Sequence, residues 1–123
     1  LIITSIAADN NNILMQFAEK SSKHNIPFIV IGDTKSPHDF NLKGCDFYSI
    51  DDQGSLTFKL ARNIPTKHYA RKNLGYLLAI SKGADVIIET DDDNIPLPKF
   101  WEHRTKLNIT HLLKEKELSF NNR

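Results

Sequence analysis

The amino-acid sequence predicts an α/β domain built on a parallel sheet, and three observations carry that expectation. Leu1-Ile2-Ile3-Thr4-Ser5-Ile6 and Phe28-Ile29-Val30-Ile31 are short, β-branched, mostly apolar runs, the pattern of strands covered on both faces. Between them, Ile13, Leu14, Phe17 and Ala18 recur at helical spacing. Further on, a broad apolar stripe over 66–82 leads into the run Asp85–Thr90, again helix before strand. Strand, helix, strand in succession implies a right-handed crossover and parallel pairing.

In order, the first strand ends in a polar connection whose Asp9, Asn10 and Asn11 are all N-cap candidates for the first helix. That helix is expected to stop near His24-Asn25, and Pro27 starts the second strand. Gly32-Asp33-Thr34-Lys35-Ser36-Pro37 is dense in turn residues and stops it. Phe40 and Leu42 are expected to tuck a loop against the sheet, and Asp46-Phe47-Tyr48-Ser49-Ile50 reads as a shorter edge strand ended by Asp51-Asp52-Gln53-Gly54. Leu56, Phe58 and Leu60 are weakly periodic as far as the break at Ile64-Pro65. The clearest helix follows from Thr66 to Lys82, with Ala70, Leu74, Leu77 and Leu78 on one face, Tyr69, Tyr76 and Ile80 widening it, and Gly83 as a left-handed cap. Asp85–Thr90 is the expected fourth, buried strand. After Pro96, Pro98, Phe100 and Trp101 suggest an ordered loop in which Trp101 packs, and Leu107, Leu112 and Leu113 suggest one more helix before a polar tail.

A chain of 123 residues, 40% hydrophobic and with a formal net charge of +1, has room for one core. Without a basic block, the composition offers no reason for a nucleic-acid or membrane-surface partner. The single cysteine, Cys45, excludes an intrachain disulfide. No apolar run approaches a membrane span and none resembles a signal peptide. The chain starts at Leu1, inside a strand pattern and without an initiator methionine, so it is expected to be a piece of a longer protein.

The stretch with chemistry is Glu89-Thr90-Asp91-Asp92-Asp93-Asn94-Ile95-Pro96, directly after Val86-Ile87-Ile88. Carboxylates so dense repel at neutral pH, and their place at the end of a buried strand points to a cation among them. Strand alternation puts Glu89, Asp91 and Asp93 on one side, with Asp91 and Asp93 the candidate metal pair, and Thr90, Asp92 and Asn94 on the other. The alternative is an acidic solvated turn closed by Pro96. In open α/β sheets ligands collect at the carboxyl ends of the strands, where this cluster is delivered.

Other chemistries fail on spacing. There is no glycine-rich phosphate loop and no dinucleotide fingerprint after the first strand, and the acidic stretch lacks the central glycine of an EF-hand. His24, His38, His68, His103 and His111 show no zinc spacing, and Ser5, Ser36 and Ser49 have no nucleophile-elbow context.

Val30-Ile31-Gly32-Asp33-Thr34-Lys35-Ser36-Pro37, Leu42-Lys43-Gly44-Cys45-Asp46-Phe47, and Tyr69-Ala70-Arg71-Lys72-Asn73-Leu74-Gly75-Tyr76-Leu77-Leu78-Ala79-Ile80 with Gly83-Ala84 together resemble the STELLO family of glycosyltransferase-like proteins. The resemblance covers roughly the first hundred residues. It implies a GT-A-like (Rossmann-like) three-layer sandwich, here with little after the D-x-D strand, and a single nucleotide-sugar-binding domain over 1–123. The implied function is metal-dependent transfer of a glycosyl group from a nucleoside-diphosphate sugar, a UDP-sugar above all, to an unidentified acceptor; the alternative is a non-catalytic nucleotide-sugar-binding or regulatory module. Mn²⁺ or Mg²⁺ is the implied cofactor, because a carboxylate-held divalent cation offsets the charge growing on the leaving diphosphate. By the same resemblance Asp93 is the direct ligand, Asp91 touches the metal through water or the ribose, and Asp92 exchanges roles with either. Thr4, Ser5, Ile6 and Asp33 hold base and ribose, Asp33 by accepting a uracil imide proton, and Arg71 and Lys72 reach the phosphates unless they form the wet face of their helix. No residue is marked as a catalytic base. The sequence leaves the oligomeric state open, and the resemblance implies a Golgi-lumenal place if the parent is eukaryotic, a cytoplasmic one if bacterial.

Overall fold

The computed structural model describes residues 1–103; the helix expected around Leu107–Leu113 and the tail after it lie outside the described residues. Strands β1 (Ile2–Thr4), β2 (Ile29–Ile31) and β3 (Asp46–Tyr48) form a parallel sheet in the order β1-β2-β3, with Ile3 opposite Val30 and Val30 opposite Phe47. The parallel direction follows from the crossover through helix α1 (Asn12–Lys23), as the sequence pattern requires. β3 is the short edge strand expected.

Alternation sorts the strand residues into two cores. Ile3 and Val30 pack with Phe28 and with Leu14, Phe17 and Ala18 of α1, and Phe40, Leu42 and Trp101 close that side. Ile2, Ile29 and Ile31 face the other way, under Leu78 of helix α3 (Lys72–Ser81). The result is three layers, helix, sheet, helix, and each fully buried Ile, Leu or Phe contributes roughly 1.5–3 kcal/mol. α3 lies close to the sheet at Gly75, where an added Cβ would come within 2.6 Å of Ile2 Cγ2.

The caps follow the local chemistry. Asn11 Oδ1 accepts the amides of Ile13 and Leu14 at 2.9 and 3.0 Å and starts α1. Asn25, at φ 54°, ends it, with Ile26 N–H donating to Ser21 O. Gly83, at φ 85°, closes α3 in the same way, with Ala84 N–H donating to Ala79 O.

Three expectations are revised. The segment Asp85–Thr90 does lie beside β1, opposite β2, but pairs through one parallel bridge, Ile2 to Glu89, with Ile2 N–H donating to Ile88 O. It is not buried: Val86 is 65% exposed, because among the described residues nothing covers its outer side. The long helix begins at Lys72, after a 3-10 turn over Tyr69–Arg71, because Lys67 at φ 54° cannot be helical. Its stripe is narrower than expected, with Tyr69 and Ile80 exposed. Finally, the stretch read as a turn after β3 is a short helix α2 (Ile50–Gly54), opened by a capping box in which Ser49 and Asp52 exchange hydrogen bonds.

Candidate functional site

A cavity of about 290 Å³ opens at the carboxyl ends of β1 and β2. Thr4, Ser5 and Ile6 line it from β1, Ile31, Gly32 and Asp33 from β2, Lys67, His68, Tyr69 and Arg71 from the approach to α3, and Asp92 from the acidic turn. The walls are tied together by short polar contacts. Ser5 N–H donates to Ile31 O at 3.0 Å, extending the β1–β2 pairing past Thr4. Ser36 Oγ accepts the Asp33 amide at 2.9 Å and donates to Ser5 O at 3.0 Å, so the turn after β2 is fastened to the end of β1. Gly32 fits there because a Cβ would come within 2.7 Å of the Phe47 ring and 2.9 Å of Ser36 Oγ.

Asp33 holds two turns. One carboxylate oxygen accepts Thr34 N–H at 2.7 Å, and the other accepts Lys67 N–H at 2.7 Å. The second bond fixes Lys67 in its left-handed conformation, which is strained for a residue with a Cβ, and so shapes the rim of the cavity. His68 Nδ1 accepts Ala70 N–H at 3.0 Å and caps the 3-10 turn, leaving Tyr69, 82% exposed, at the mouth.

Arg71 is buried, not on a wet helix face. Its Nε and Nη2 donate to Gln53 Oε1 at 2.8 and 2.6 Å, and its Nη1 donates to Ile64 O and Pro65 O at 3.2 and 3.3 Å. Gln53, fully buried, spends its amide on Gly32 O and Tyr48 O at 2.9 and 2.8 Å. Among the described residues every hydrogen-bond acceptor of the guanidinium is neutral, and the carboxylate-bearing Asp33 and Asp92 line the same cavity.

The acidic stretch divides. Ser5 Oγ donates to Asp92, which brings that carboxylate to the cavity. Glu89 and Asp91 turn the other way, as alternation requires, and meet Lys72: Nζ lies 2.8 Å from Asp91 Oδ1 and 3.4 Å from Glu89 Oε2, and donates to Thr90 O at 3.2 Å. Tyr76 Oη also donates to Glu89. Burial, the bond to Glu89 and the nearby negative charge push the Tyr76 pKa up to about 12. The same bond, with the Lys72 charge, holds Glu89 below its ordinary value. Burial lowers the Lys72 pKa, but the Asp91 hydrogen bond and the two carboxylate charges outweigh it and leave it raised.

Strand alternation ends at Asp91, because Asn94 N–H donates to Asp91 O and closes a turn over 91–94. Asp93 is exposed and takes no hydrogen bond from any described residue. Among the described residues no three His, Cys, Asp or Glu side chains converge on one point. The donors that do converge are oxygens of Glu89, Thr90 and Asp91, and the cation they surround is the Lys72 ammonium. Two carboxylates and one main-chain carbonyl around an ammonium fall short of the three converging acidic or imidazole side chains that would mark a metal centre.

Of the residues singled out in the sequence, Thr4, Ser5, Ile6, Asp33, Arg71 and Asp92 line one cavity, while Lys72, Asp91 and Asp93 lie outside its lining. Gly32, Lys67, His68, Tyr69 and the supporting Gln53 were not anticipated. The Ser49-x-x-Asp52 capping signature was the available signal for Gln53, since it starts the helix that carries it. Trp101 is packing: its ring stacks on His24 at 5.4 Å and leans on Phe17 at 6.0 Å.

Fold and cavity together define an α/β domain with a ligand pocket at the carboxyl ends of its parallel strands. Two curated proteins of Arabidopsis thaliana are similar to it in sequence. They are "Probable glycosyltransferase STELLO2", 41% identical over 64 residues, and "Probable glycosyltransferase STELLO1", 39% identical over 64 residues. Each match covers 52% of this chain and 8% of the relative, so the chain corresponds to a small part of those proteins. No family model matches the chain. Among the described residues no helix is long and apolar enough to cross a membrane.

Proposed function

We propose that this domain binds a nucleoside-diphosphate sugar, a UDP-sugar, in the cavity between Thr4–Ile6, Asp33 and Arg71, and that it serves glycosyl transfer to an acceptor. The observation that carries the reading is the convergence of these side chains, from three separate stretches of the chain, on one polar cavity at the strand ends. Similarity to two proteins named as glycosyltransferases supports the reaction class.

The residues suit the parts of such a ligand. Each Asp33 oxygen accepts one backbone amide and keeps a second lone pair, so the carboxylate can still accept from a base or ribose without releasing the Lys67 turn. Arg71, which takes no carboxylate partner among the described residues, lines the cavity and can meet an anion there, and a diphosphate is one. Ser5 and Asp92 form a hydrogen-bonding edge between the cavity and the acidic turn. Asp91 and Asp93 would hold the divalent cation, Mn²⁺ or Mg²⁺, with Asp93 the open ligand and Asp91 free once Lys72 is displaced. When bound, such a cation supplies Lewis-acid neutralisation of the diphosphate leaving group.

The test is a titration of the full chain with UDP, UDP-sugars, ADP and inorganic phosphate, with and without MnCl₂, read by calorimetry and melting temperature. Saturable UDP binding that ADP does not match is expected. No binding of any nucleotide under either condition refutes the reading.

A further inference from the structure

We propose that residues 104–123 fold back over the open edge of the sheet and set Ile109, Leu112 and Leu113 into the apolar groove beside Val86 and Ile87. The proposal does not rest on the nucleotide reading of the cavity, which lies at the other end of the strands.

The groove, about 390 Å³, opens at the amino ends of β1 and β2. Leu1, Ile26 and Pro27 line it from the strand side, Ala79 from the end of α3, and Val86 and Ile87 from the segment beside β1. Val86 is 65% and Ile87 36% exposed, and neither belongs to a packed cluster of the described residues. The direction of the main-chain bonds makes this face an edge. Ile2 N–H donates to Ile88 O and Thr90 N–H donates to Ile2 O, so the main-chain groups of Ile87 and Glu89 point away from β1, and no described residue bonds them. A sheet edge carrying valine and isoleucine is a template for any strand it meets, and folded proteins cover such edges with a helix or a loop.

The chain supplies a cover at the right place. The Trp101 ring stacks on His24 at 5.4 Å, and Asn25, the residue after His24, lines the groove. Residue 104 follows three positions after Trp101, so the segment 104–123 starts beside one end of the groove. Its twenty residues run about 30 Å even if wholly helical, enough to cross the mouth. Within it Ile109, Leu112 and Leu113 recur at helical spacing and give one short apolar stripe, followed by the charged run Lys114-Glu115-Lys116-Glu117. Attachment favours this occupant over a second copy of the chain, because a segment tethered a few residues away acts at a high effective concentration. Docked there, it presses Asp85–Thr90, which has one bridge to β1, against the sheet, and so steadies the turn that brings Asp92 to Ser5.

The experiment alkylates the full chain carrying Val86→Cys with iodoacetamide at several protein concentrations, and compares it with the same chain carrying Leu112→Asp and Leu113→Asp as well. Peptide masses separate position 86 from Cys45, whose thiol burial pushes up to about 12 and which therefore reports unfolding. The two aspartates are expected to speed alkylation at position 86 by roughly tenfold or more, as a covered site opens, and to leave an exposed control, Lys59→Cys, unchanged. An equal rate at position 86 with and without the aspartates overturns the proposal, and a rate that then falls as protein concentration rises assigns the edge to a second copy. A control that speeds up equally overturns it too. If the aspartates unfold the chain, which Cys45 reports by reacting, the decision passes to two pairs in a Cys45→Ser background, Val86→Cys with Leu112→Cys and Val86→Cys with Leu113→Cys. Mild oxidation of the dilute chain should close an intrachain disulfide in at least one of them well ahead of Lys59→Cys with Leu113→Cys, because bridging needs Cα atoms within about 7 Å. Neither pair closing faster than that control overturns the proposal.

Discussion

Replacing Gln53 by methionine keeps length and bulk but removes the amide that joins α2, the end of β2 and the arginine beside the cavity. Gln53 makes four hydrogen bonds, to Gly32 O, Tyr48 O and twice from Arg71, and is fully buried. The losses are unequal. Tyr48 O keeps the Gly32 amide at 2.9 Å and suffers little. Gly32 O loses its described partner, at about 1–3 kcal/mol for a buried unsatisfied carbonyl. Arg71 keeps only the two longer Nη1 bonds and leaves two charged donors facing a thioether, each bond of this kind being worth about 1.5–3 kcal/mol. The simple sum exceeds what is expected, because water from the adjoining cavity can reach the guanidinium, so the net loss should be about 3–5 kcal/mol. Urea unfolding followed by circular dichroism should show the midpoint falling by roughly 2 M at an unchanged slope. Arg71→Met on top of Gln53→Met should recover part of the loss, since removing both polar partners costs less than stranding one. A Gln53→Met loss under about 1 kcal/mol, or a double variant that is simply additive, refutes the claim that this node is a buried, mutually satisfied pair.

Gly75→Ala should destabilise by about 1–2 kcal/mol despite alanine's better helix propensity, because its Cβ meets Ile2 Cγ2 at 2.6 Å and Ile31 Cγ1 at 3.2 Å; thermal unfolding reads the sign. Ser49→Ala should cost about 1 kcal/mol near neutral pH by removing the cap of α2. The same hydroxyl and amide hold the Asp52 pKa below its ordinary value, so their stabilisation is present above the unfolded carboxylate pKa and fades as pH falls through the lower folded one. Wild type should accordingly lose more stability than Ser49→Ala on acidification, and parallel acid titrations would contradict the assignment. Burial, then the Asp46 charge, push the Cys45 thiol up to about 12, so alkylation near pH 8 should be far slower than for a free thiol and accelerate only on unfolding.

The framework of the fold was legible where a residue's environment depends on its near neighbours. Short near-continuous apolar runs with a period-3.6 run between them specify β1, α1 and β2, and Asn25 and Gly83 mark helix ends because few residues tolerate a left-handed conformation. The errors arose where distant parts of the chain decide. Nothing local shows that Lys67 is pulled out of helical conformation by Asp33, far earlier in the sequence, so the apolar stripe alone places the start of the long helix too early. Nor does the apolar run Val86-Ile87-Ile88 reveal by itself how much of the chain will cover it.

The acidic turn shows the same division at a finer scale. Carboxylate density can be counted from the sequence, and the need for a cation follows from it, but which cation sits there depends on how α3 crosses the segment. Tyr76 meets Glu89 and Lys72 meets Asp91, so a pair four residues apart on a helix faces a pair two residues apart on an extended segment running the opposite way. The two spacings match, since four residues of helix rise about 6 Å and two of strand about 6.6 Å. That coincidence lets one helix face carry a tyrosine and a lysine onto successive carboxylates without bending either element. Shifting Lys72 by one position along α3 would turn it roughly 100° around the helix and away from the turn. The lysine's place is therefore set by the register between α3 and the acidic segment, which rests on Gly75 allowing α3 to lie close over Ile2, the residue that pairs with Glu89.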